Sequence, residues 1–425
     1  MLTLMGSLFL LLIIGVPVAW SLGISSLLYF VIHNPALLLV VPQRIFAGFD
    51  NMPMVALPLY IMMGMVMNDS GLSQKIFDIC DLLVGRLKGG LACINVLDSM
   101  FFGGISGSSA ADVASLGAIM IPAMEKRGYD KEFTAGITAA TATMGIIIPP
   151  SIPMLLFASI AEQSVGKMFL GGVIPGVLVA ATQLVMCLVI SYRRNYPQDK
   201  RKYTVWQAIR VIYNSMGALL LPVFVVGVVV MGVATVSESA ACGLAYALML
   251  GVLINRSLKI ISLPKAFLNA MKMTATVMVV IACSQLYVWV LSMEKVPELV
   301  TGTVTSLNLS RDPLLFVMMI IMLILGTFMD VTPAIMLLTP VFLPAAMAAG
   351  VQPVQFGALL VASMAVGMVT PPVGTCLNIT AALAKLDIVR IFWGALPFLI
   401  CNVIVLILIC FIPAVTTFVP SLFFK

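Results

Sequence analysis

Long apolar runs separated by short polar segments set the pattern of this chain from end to end. A helix needs about 20 apolar residues to cross the ~30 Å hydrocarbon core of a membrane, and these runs are long enough to do so. The first run is followed by no A-x-A-like cleavage site, so we expect a retained span and not a removed signal peptide. The predicted spans are 2–32, 53–68, 133–161, 168–192, 215–233, 236–254, 270–292, 355–384 and 390–412.

Two further apolar segments carry small or polar residues at their centres, and we predict that they fold as hairpins. They cover about residues 89–124 and 312–346, with tips at 103–109 and 326–332. Each follows a stretch of mixed polarity, roughly 70–88 and 294–311, of the kind that lies in a membrane interface. The hairpins are therefore expected to enter the membrane and return on the same side.

The two halves of the chain repeat the same landmarks at a constant separation of 222 residues. The matched pairs are Gly104/Gly326, Pro122/Pro344, Gly128/Gly350, Gly145/Gly367, Pro149/Pro371 and Pro175/Pro397. Helix breaks at corresponding places in two apolar halves point to the binding site of a secondary transporter.

Composition supports an integral membrane protein. Hydrophobic residues make up 61% of the chain and charged residues only 9%, against about 25% charged residues in soluble domains. The eight cysteines are scattered through apolar segments without metal-type spacing, so we expect neither a metal cluster nor a disulfide framework.

The placement of lysine and arginine orients the spans. When the basic loop at residues 193–210 is placed in the cytoplasm, all but five of the 23 basic residues fall inside. The five outside are Arg44, Lys167, Lys295, Arg311 and Lys425. Each half then has three full crossings and one hairpin, and the two halves start on opposite sides. We therefore predict inverted repeats, the architecture of alternating access around one midplane site.

Each half contains a break with one glycine and two adjacent prolines, at residues 145–150 and 367–372. Prolines lack the N–H group, so the break frees carbonyl oxygens and creates half-helix ends near mid-membrane. Carbonyl and hydroxyl oxygens suit Na⁺, and helix N-termini suit an anionic substrate. The tips add hydroxyl and carboxyl groups from Ser106, Ser108, Ser109, Asp112, Thr327, Asp330 and Thr332.

The residues alone leave other interpretations open. Small tip residues also permit close helix packing, and Asp112 or Asp330 would allow proton coupling without sodium. A channel is disfavoured by the duplication. The segment 104–107 matches the G-x-S-G of rhomboid-type serine proteases, but the only histidine, His33, is expected in a solvated turn and not as a base.

Two smaller predictions concern other acidic residues. Glu238 is expected to cap the helix that follows it. Four other aspartates could form a proton relay, but we expect them to be solvated at the membrane interface. They are Asp69, Asp78, Asp81 and Asp98.

Several motifs together resemble a known family, the large membrane subunits of TRAP (tripartite ATP-independent periplasmic) transporters, which are related in architecture to divalent anion–sodium symporters. The resemblance covers essentially the whole chain. It rests on Gly15-Val16-Pro17-Val18-Ala19, Leu57-Pro58-Leu59-Tyr60, Gly104-Ile105-Ser106-Gly107-Ser108, Ala110-Ala111-Asp112, Ile148-Pro149-Pro150-Ser151, Glu238-Ser239-Ala240-Ala241 and Thr370-Pro371-Pro372-Val373-Gly374.

The resemblance implies an all-α polytopic membrane protein, an inverted-repeat, elevator-type transporter with two re-entrant hairpins and two broken helices. The implied organisation is an N-terminal scaffold helix and loop at 1–50, a first repeat at 51–192, connecting loops and two helices at 193–265, and a second repeat at 266–425. It also implies a bacterial inner membrane location and two partners, a small membrane (Q-type) subunit and a periplasmic substrate-binding protein.

Carried over by position, the resemblance implies sodium-coupled import of an organic acid anion, with sialic acid weakly favoured over C4-dicarboxylates. The first Na⁺ site would use Ser106 with the carbonyls of Gly145, Ile148 and Pro150. The second would use Gly326, Asp330, Gly367, Thr370 and Pro372, although the counterpart of Ser106 is Phe328, which offers only its carbonyl. Substrate would lie near Ser108, Ser109, Asp112 and Ser151.

Overall fold

The structure is a computed structural model that describes residues 2–48, 50, 52–199, 203–255, 257–258, 260–306 and 310–424. This part of the chain is helical and contains no β-strand, which confirms the predicted all-α class. Six basic residues of the predicted topology lie outside the described residues: Lys200, Arg201, Lys202, Arg256, Lys259 and Lys425.

The helices of the first half are α1 (Leu2–Ile13), α2 (Val18–His33), α3 (Val41–Ala47), α4 (Met52–Asp69), α5 (Leu72–Val84), α6 (Gly90–Ser106), α7 (Ser109–Lys126), α8 (Lys131–Thr141), α9 (Ile152–Ile160) and α10 (Val165–Arg193). Those that follow are α11 (Val205–Val230), α12 (Val236–Leu248), α13 (Leu263–Met293), α14 (Val296–Ser306), α15 (Arg311–Gly326), α16 (Val331–Ala348), α17 (Pro353–Gly367), α18 (Thr375–Ala384), α19 (Ile388–Phe411) and α20 (Ala414–Phe423).

Six helical segments of the described chain are long and apolar enough to cross a membrane, and a seventh if the bent pair α4–α5 counts as one span. They are Val165–Arg193, Val205–Val230, Val236–Ile254, Ile260–Met293, Val331–Ala348 and Ile388–Phe411. The chain is therefore a multi-pass membrane protein. Both segments predicted as broken, 133–161 and 355–384, are divided into two helices.

The first predicted span, 2–32, is wrong as a single helix. Gly15 adopts a left-handed φ of +89°, and Pro17 precedes the first residue of α2. The chain breaks there because a helix interior accepts neither feature cheaply. The resulting short helices α1 and α2 pack against each other, and α2 also packs on α13.

The stretch at 70–88 forms a separate helix, α5, bent by 69° from the end of α4. Gly71 allows the bend through its φ of +68°. One face of α5 is buried, through Leu72, Ile76, Ile79 and Cys80. This one-sided burial agrees with the predicted interfacial character.

Buried polar and glycine contacts join the two halves of the chain. The Nε2 atom of Gln183 donates to the Oδ1 atom of Asn402 at 2.8 Å, and the Asn402 amide donates to Thr143 Oγ1 at 3.1 Å. At Gly136 a β-carbon would stand 2.2 Å from the backbone carbon of Gly394. The helices α8 and α19 therefore touch backbone to backbone.

One helix cap was predicted from the sequence, whereas the C-terminal helix was not. Thr235 and Glu238 form a capping box: Thr235 Oγ1 accepts from the Glu238 N–H at 3.3 Å, and Glu238 Oε2 accepts from the Thr235 N–H at 2.8 Å. The predicted capping role of Glu238 is thereby confirmed. The C-terminal helix α20, packed on α10, was not predicted.

Candidate functional site

The first tip, residues 103–109, contains a tight turn at 106–109 between α6 and α7. Gly107 ends α6 with a φ of +60°, which glycine adopts without a side-chain penalty. Ser108 follows in extended conformation as the N-cap of α7, and its Oγ accepts from the Ala111 N–H at 3.5 Å. The turn places Ser106 beside the N-terminus of α7.

The first break, residues 142–151, separates α8 from α9. A 3-10 turn covers Ala142–Ile146, and irregular backbone with a cis Pro149–Pro150 bond follows. Ser151 bridges the break, because its Oγ donates to the Ile146 carbonyl at 2.5 Å and accepts from the Met154 N–H at 3.3 Å. Ser151 is therefore the N-cap of α9.

The first tip and the first break are in direct contact. A β-carbon on Gly103 would stand 2.6 Å from the Gly145 Cα, and one on Gly107 would stand 3.2 Å from the Pro150 carbonyl oxygen. Only glycine permits this approach of two backbones. The structure therefore brings together Ser106, Gly145 and Pro150 of the predicted first Na⁺ site. The Ile148 side chain packs nearby against Gly104 and Gly176.

Asp112 fills the centre of this contact. Its Oδ1 accepts from the Ser106 hydroxyl at 2.6 Å, and its Oδ2 lies 2.5 Å from the position of a Gly145 β-carbon. Asp112 is 1% exposed, and Oδ2 has no hydrogen-bond partner among the described residues. A buried carboxylate oxygen without a donor calls for a ligand, a proton or a water.

The second tip, residues 326–332, meets the second break, residues 367–374, in a similar way. A β-carbon on Gly367 would stand 2.5 Å from the Cα and carbonyl carbon of Gly326. The carbonyl of Thr327 accepts from the N–H groups of Val373 and Gly374 at 3.2 and 3.4 Å. The structure thus brings together Gly326 and Gly367 of the predicted second site.

The other residues of the second site lie around this contact. Thr370 is in the break, where its hydroxyl donates to the Val366 carbonyl at 2.9 Å, and Pro372 follows in a cis Pro371–Pro372 bond. Asp330 is the N-cap residue of α16, the position that Ser108 holds in the first half. Together with Thr332, Asp330 lines a cavity of about 610 Å³ against α2 and α13.

A second cavity, of about 350 Å³, separates the first tip from α4 and α13. Ser106 and Ser115 contribute hydroxyl groups from one wall. The opposite wall carries Asn68, Asp69 and Asn269, all exposed. Sequence reasoning missed Asn68, Asn269 and Ser115, because they lie outside the tips and breaks on which it relied.

The four residues predicted to contact substrate lie at the two helix N-termini beside this cavity. Ser109, Asp112 and Ser151 are each 1% exposed, and Ser108 is half-buried. Ser109 Oγ has no partner among the described residues, whereas Ser108 and Ser151 cap their helices. In this conformation the cavity wall is formed by their neighbours Ser106, Ala111 and Ile152.

The interfacial prediction for Asp98 is wrong. Asp98 lies within α6 and is only 2% exposed, with no partner for Oδ1 among the described residues. Next to it, the Asn95 amide donates to Thr138 at 2.8 Å, and the Ser99 hydroxyl donates to Thr141 at 3.0 Å. Asp98 is buried because α6, the helix that carries it, packs along α8.

The fold defines a class, the all-helical polytopic membrane protein. A solved structure described as the YdaH transporter of Alcanivorax borkumensis is similar in fold, with a TM-score of 0.63 over 88% of this chain and 87% of that one, at 13% identity.

The sequence then identifies the family. Residues 5–415 match the family described as "Tripartite ATP-independent periplasmic transporter, DctM component", and the chain belongs to it. This confirms the predicted resemblance, and the chain is a transporter component rather than an enzyme.

Three relatives support this family assignment. The C4-dicarboxylate TRAP transporter large permease protein DctM of Pseudomonas aeruginosa is 34% identical over 94% of both chains. The sialic acid large permease protein SiaM of Vibrio cholerae is 31% identical over 97% of this chain and 96% of its own. The isethionate permease protein DctMQ of Oleidesulfovibrio alaskensis is 33% identical over 96% of this chain but 64% of its own.

Proposed function

We propose that this chain imports an organic acid anion by sodium-coupled, elevator-type alternating access. The observation that carries the proposal is the pair of equivalent contacts in which a helix-pair tip meets a broken helix through glycines, Gly103 with Gly145 and Gly326 with Gly367. In this proposal both tips belong to re-entrant hairpins, and the repeats are inverted. Two related sites around one midplane are what such a carrier needs.

In our proposal, the contact between the first tip and the first break holds a sodium ion. Ser106 Oγ and the carbonyls of Gly145, Ile148 and Pro150 are oxygen donors of the type that replaces a hydration shell. The orphaned Oδ2 of Asp112 faces Gly145 and supplies negative charge. A bound Na⁺ would neutralise this buried carboxylate. Asp112 therefore joins the sodium set in our proposal, while Ser106 orients it by hydrogen bonding.

In our proposal, the contact between the second tip and the second break holds a sodium ion through one hydroxyl oxygen and several backbone oxygens. Thr370 uses its hydroxyl proton on Val366 and keeps oxygen lone pairs for a cation. The carbonyls of Gly326, Gly367 and Pro372 would complete the set. Asp330 lies at the adjoining cavity and would balance the charge.

The cavity of about 350 Å³ is proposed as the substrate path. No lysine or arginine is among the described residues that line it, so a carboxylate would be held by bound Na⁺ and by the N-termini of α7 and α9. Ser108, Ser109, Asp112 and Ser151 stand at these N-termini. Relatives that carry sialic acid and C4-dicarboxylate names support an organic acid; we favour sialic acid.

The elevator proposal divides the helices into two groups. The helices α4, α12 and α13 pack together, as do α13 and α2, and would form a static scaffold. The segments with tips and breaks, α6–α10 and α15–α19, would move as one transport unit. The cavity between the first tip and α4 would then change its access with that movement.

Two partners and a location complete the proposal. The family description names a tripartite, periplasmic system, which supports a substrate-binding protein in the periplasm and a bacterial inner membrane location. The relative named DctMQ exceeds the matched region by about a third of its length. This supports a small Q-type subunit as a partner.

Uptake by the reconstituted complex tests the proposal. The chain, its small subunit and its binding protein are placed in liposomes, and labelled sialic acid or succinate is offered with an imposed Na⁺ or K⁺ gradient. We expect uptake only with the Na⁺ gradient. Ser106→Ala should shift the sodium dependence to higher concentration, whereas Ser421→Ala, at an exposed position of α20, should not. Equal uptake without Na⁺ would refute sodium coupling, and a proton gradient that replaces Na⁺ would favour the alternative.

A further inference from the structure

A basic pocket of about 280 Å³ lies where α8, α10 and α19 meet at one end of the bundle. Arg194 follows the last residue of α10, Arg390 lies in the first turn of α19, and Glu132 lies in the first turn of α8. None of these three groups takes part in the tip and break contacts. The floor of the pocket is formed by Phe133, Gly394 and Pro397.

The two arginines are available to an anion to different degrees. Arg194 is held by one nitrogen, because Nη1 donates to Asp130 Oδ2 at 2.6 Å and to the Tyr196 hydroxyl at 3.4 Å. Within the described part of the chain, no hydrogen bond uses its Nε or Nη2. Arg390 is exposed, and it makes no hydrogen bond or ion pair with any residue that the structure describes.

The pocket adjoins exposed apolar surface on α10 and α19. The exposed apolar residues of α19 recur at helical spacing and form one stripe: Val389, Trp393, Ile400, Ile404, Ile407 and Phe411. The exposed residues of α10 form a second stripe: Val177, Val185, Val189 and Tyr192. In a multi-pass membrane protein such stripes face acyl chains. Trp393, which is 64% exposed, lines the pocket, and tryptophan is enriched where a membrane meets water.

We propose that this pocket binds a phospholipid of the cytoplasmic leaflet, with the phosphate between Arg390 and Arg194 and the acyl chains along the two stripes. Basic pockets between helices on the cytoplasmic side are suited to lipid head groups. A free phosphate would use the arginines but not the stripes or Trp393, so the surroundings favour lipid.

Glu132 defines the head group further. Glu132 lines the same pocket and carries a negative charge, so a head group with only a phosphate would meet repulsion there. A head group that also carries a hydrogen-bond donor would satisfy both charges. Phosphatidylethanolamine has an ammonium group that donates, whereas phosphatidylcholine has the same phosphate and no donor. We therefore expect ethanolamine lipid to be retained in preference to choline lipid.

Native mass spectrometry of the purified full chain in detergent tests this site. Phosphatidylethanolamine, phosphatidylcholine or inorganic phosphate is added to the wild type and to Arg390→Gln, Glu132→Gln and Arg193→Gln. Arg193 is the matched control, since it neighbours Arg194 but lies outside the pocket lining. Melting temperatures without added lipid show that each variant is folded.

We expect Arg390→Gln to bind phosphatidylethanolamine about fivefold more weakly, the effect of about 1 kcal/mol per basic residue. Arg193→Gln should bind like the wild type, and Glu132→Gln should lose the preference for ethanolamine over choline. Equal lipid binding by Arg390→Gln would overturn the site. Binding of inorganic phosphate as tight as that of lipid would overturn the choice of ligand.

Discussion

Gly367→Ala probes the second tip–break contact most sharply. The new methyl group would stand 2.5 Å from the Cα and the carbonyl carbon of Gly326 and 2.9 Å from its oxygen. These are backbone atoms, which cannot rotate away as a side chain would, so α15 must separate from α17. Overpacking of this kind costs about 1–3 kcal/mol, and it distorts the carbonyl geometry proposed for the second Na⁺ site.

The control is Gly302→Ala in α14, where no atom beyond the adjacent backbone of its own helix lies within 4 Å of the added β-carbon. We expect Gly367→Ala to reach the membrane, to melt a few degrees lower and to lose most sodium-driven uptake, while Gly302→Ala keeps both properties. Measurements of melting and of uptake in proteoliposomes distinguish these cases. Wild-type uptake and melting in Gly367→Ala would refute the backbone contact.

Three further predictions concern stability. Thr235→Ala should lower the free energy of unfolding by about 1 kcal/mol, seen as a lower melting temperature, because it removes a helix cap. Asn402→Leu should cost about 1–3 kcal/mol in the same assay, since it leaves buried Gln183 without its closest acceptor. The hydrogen bonds from Tyr196 and Arg194 hold the pKa of Asp130 below its usual value near 3.9. The stabilisation that these hydrogen bonds give is present above the usual pKa of an aspartate. It is lost as the pH falls through the lowered pKa of Asp130. Tyr196→Phe should therefore melt below the wild type at pH 6, and the difference should shrink toward pH 3.

The sequence predicted the tips and breaks well because glycine and proline act locally. The proline pairs at 149–150 and 371–372 interrupt helices whatever surrounds them, and the structure breaks both helices there. The same local reasoning, applied to the whole run 2–32, failed at Gly15 and Pro17, where hydropathy alone suggested continuity.

Positions that are determined by packing could not be predicted from the sequence. Asp98 is deeply buried because α6 packs along α8, and no pattern in the sequence reports that contact. Asn68 and Asn269 reach the cavity from helices far apart in the chain, so only the fold shows that they face Ser106. Asp112 was assigned to substrate by position, but its contacts with Ser106 and Gly145 place it beside the predicted sodium ligands.

The most direct test of the central claim is thermal unfolding of the purified chain in NaCl, compared with KCl and choline chloride at matched ionic strength. A ligand at about 100 times its dissociation constant stabilises the native state by roughly 2.7 kcal/mol. The sodium site predicts a saturable rise in melting temperature that only Na⁺ produces and that Ser106→Ala and Asp112→Asn reduce. Identical melting in the three salts, or an undiminished Na⁺ response in both variants, would contradict it.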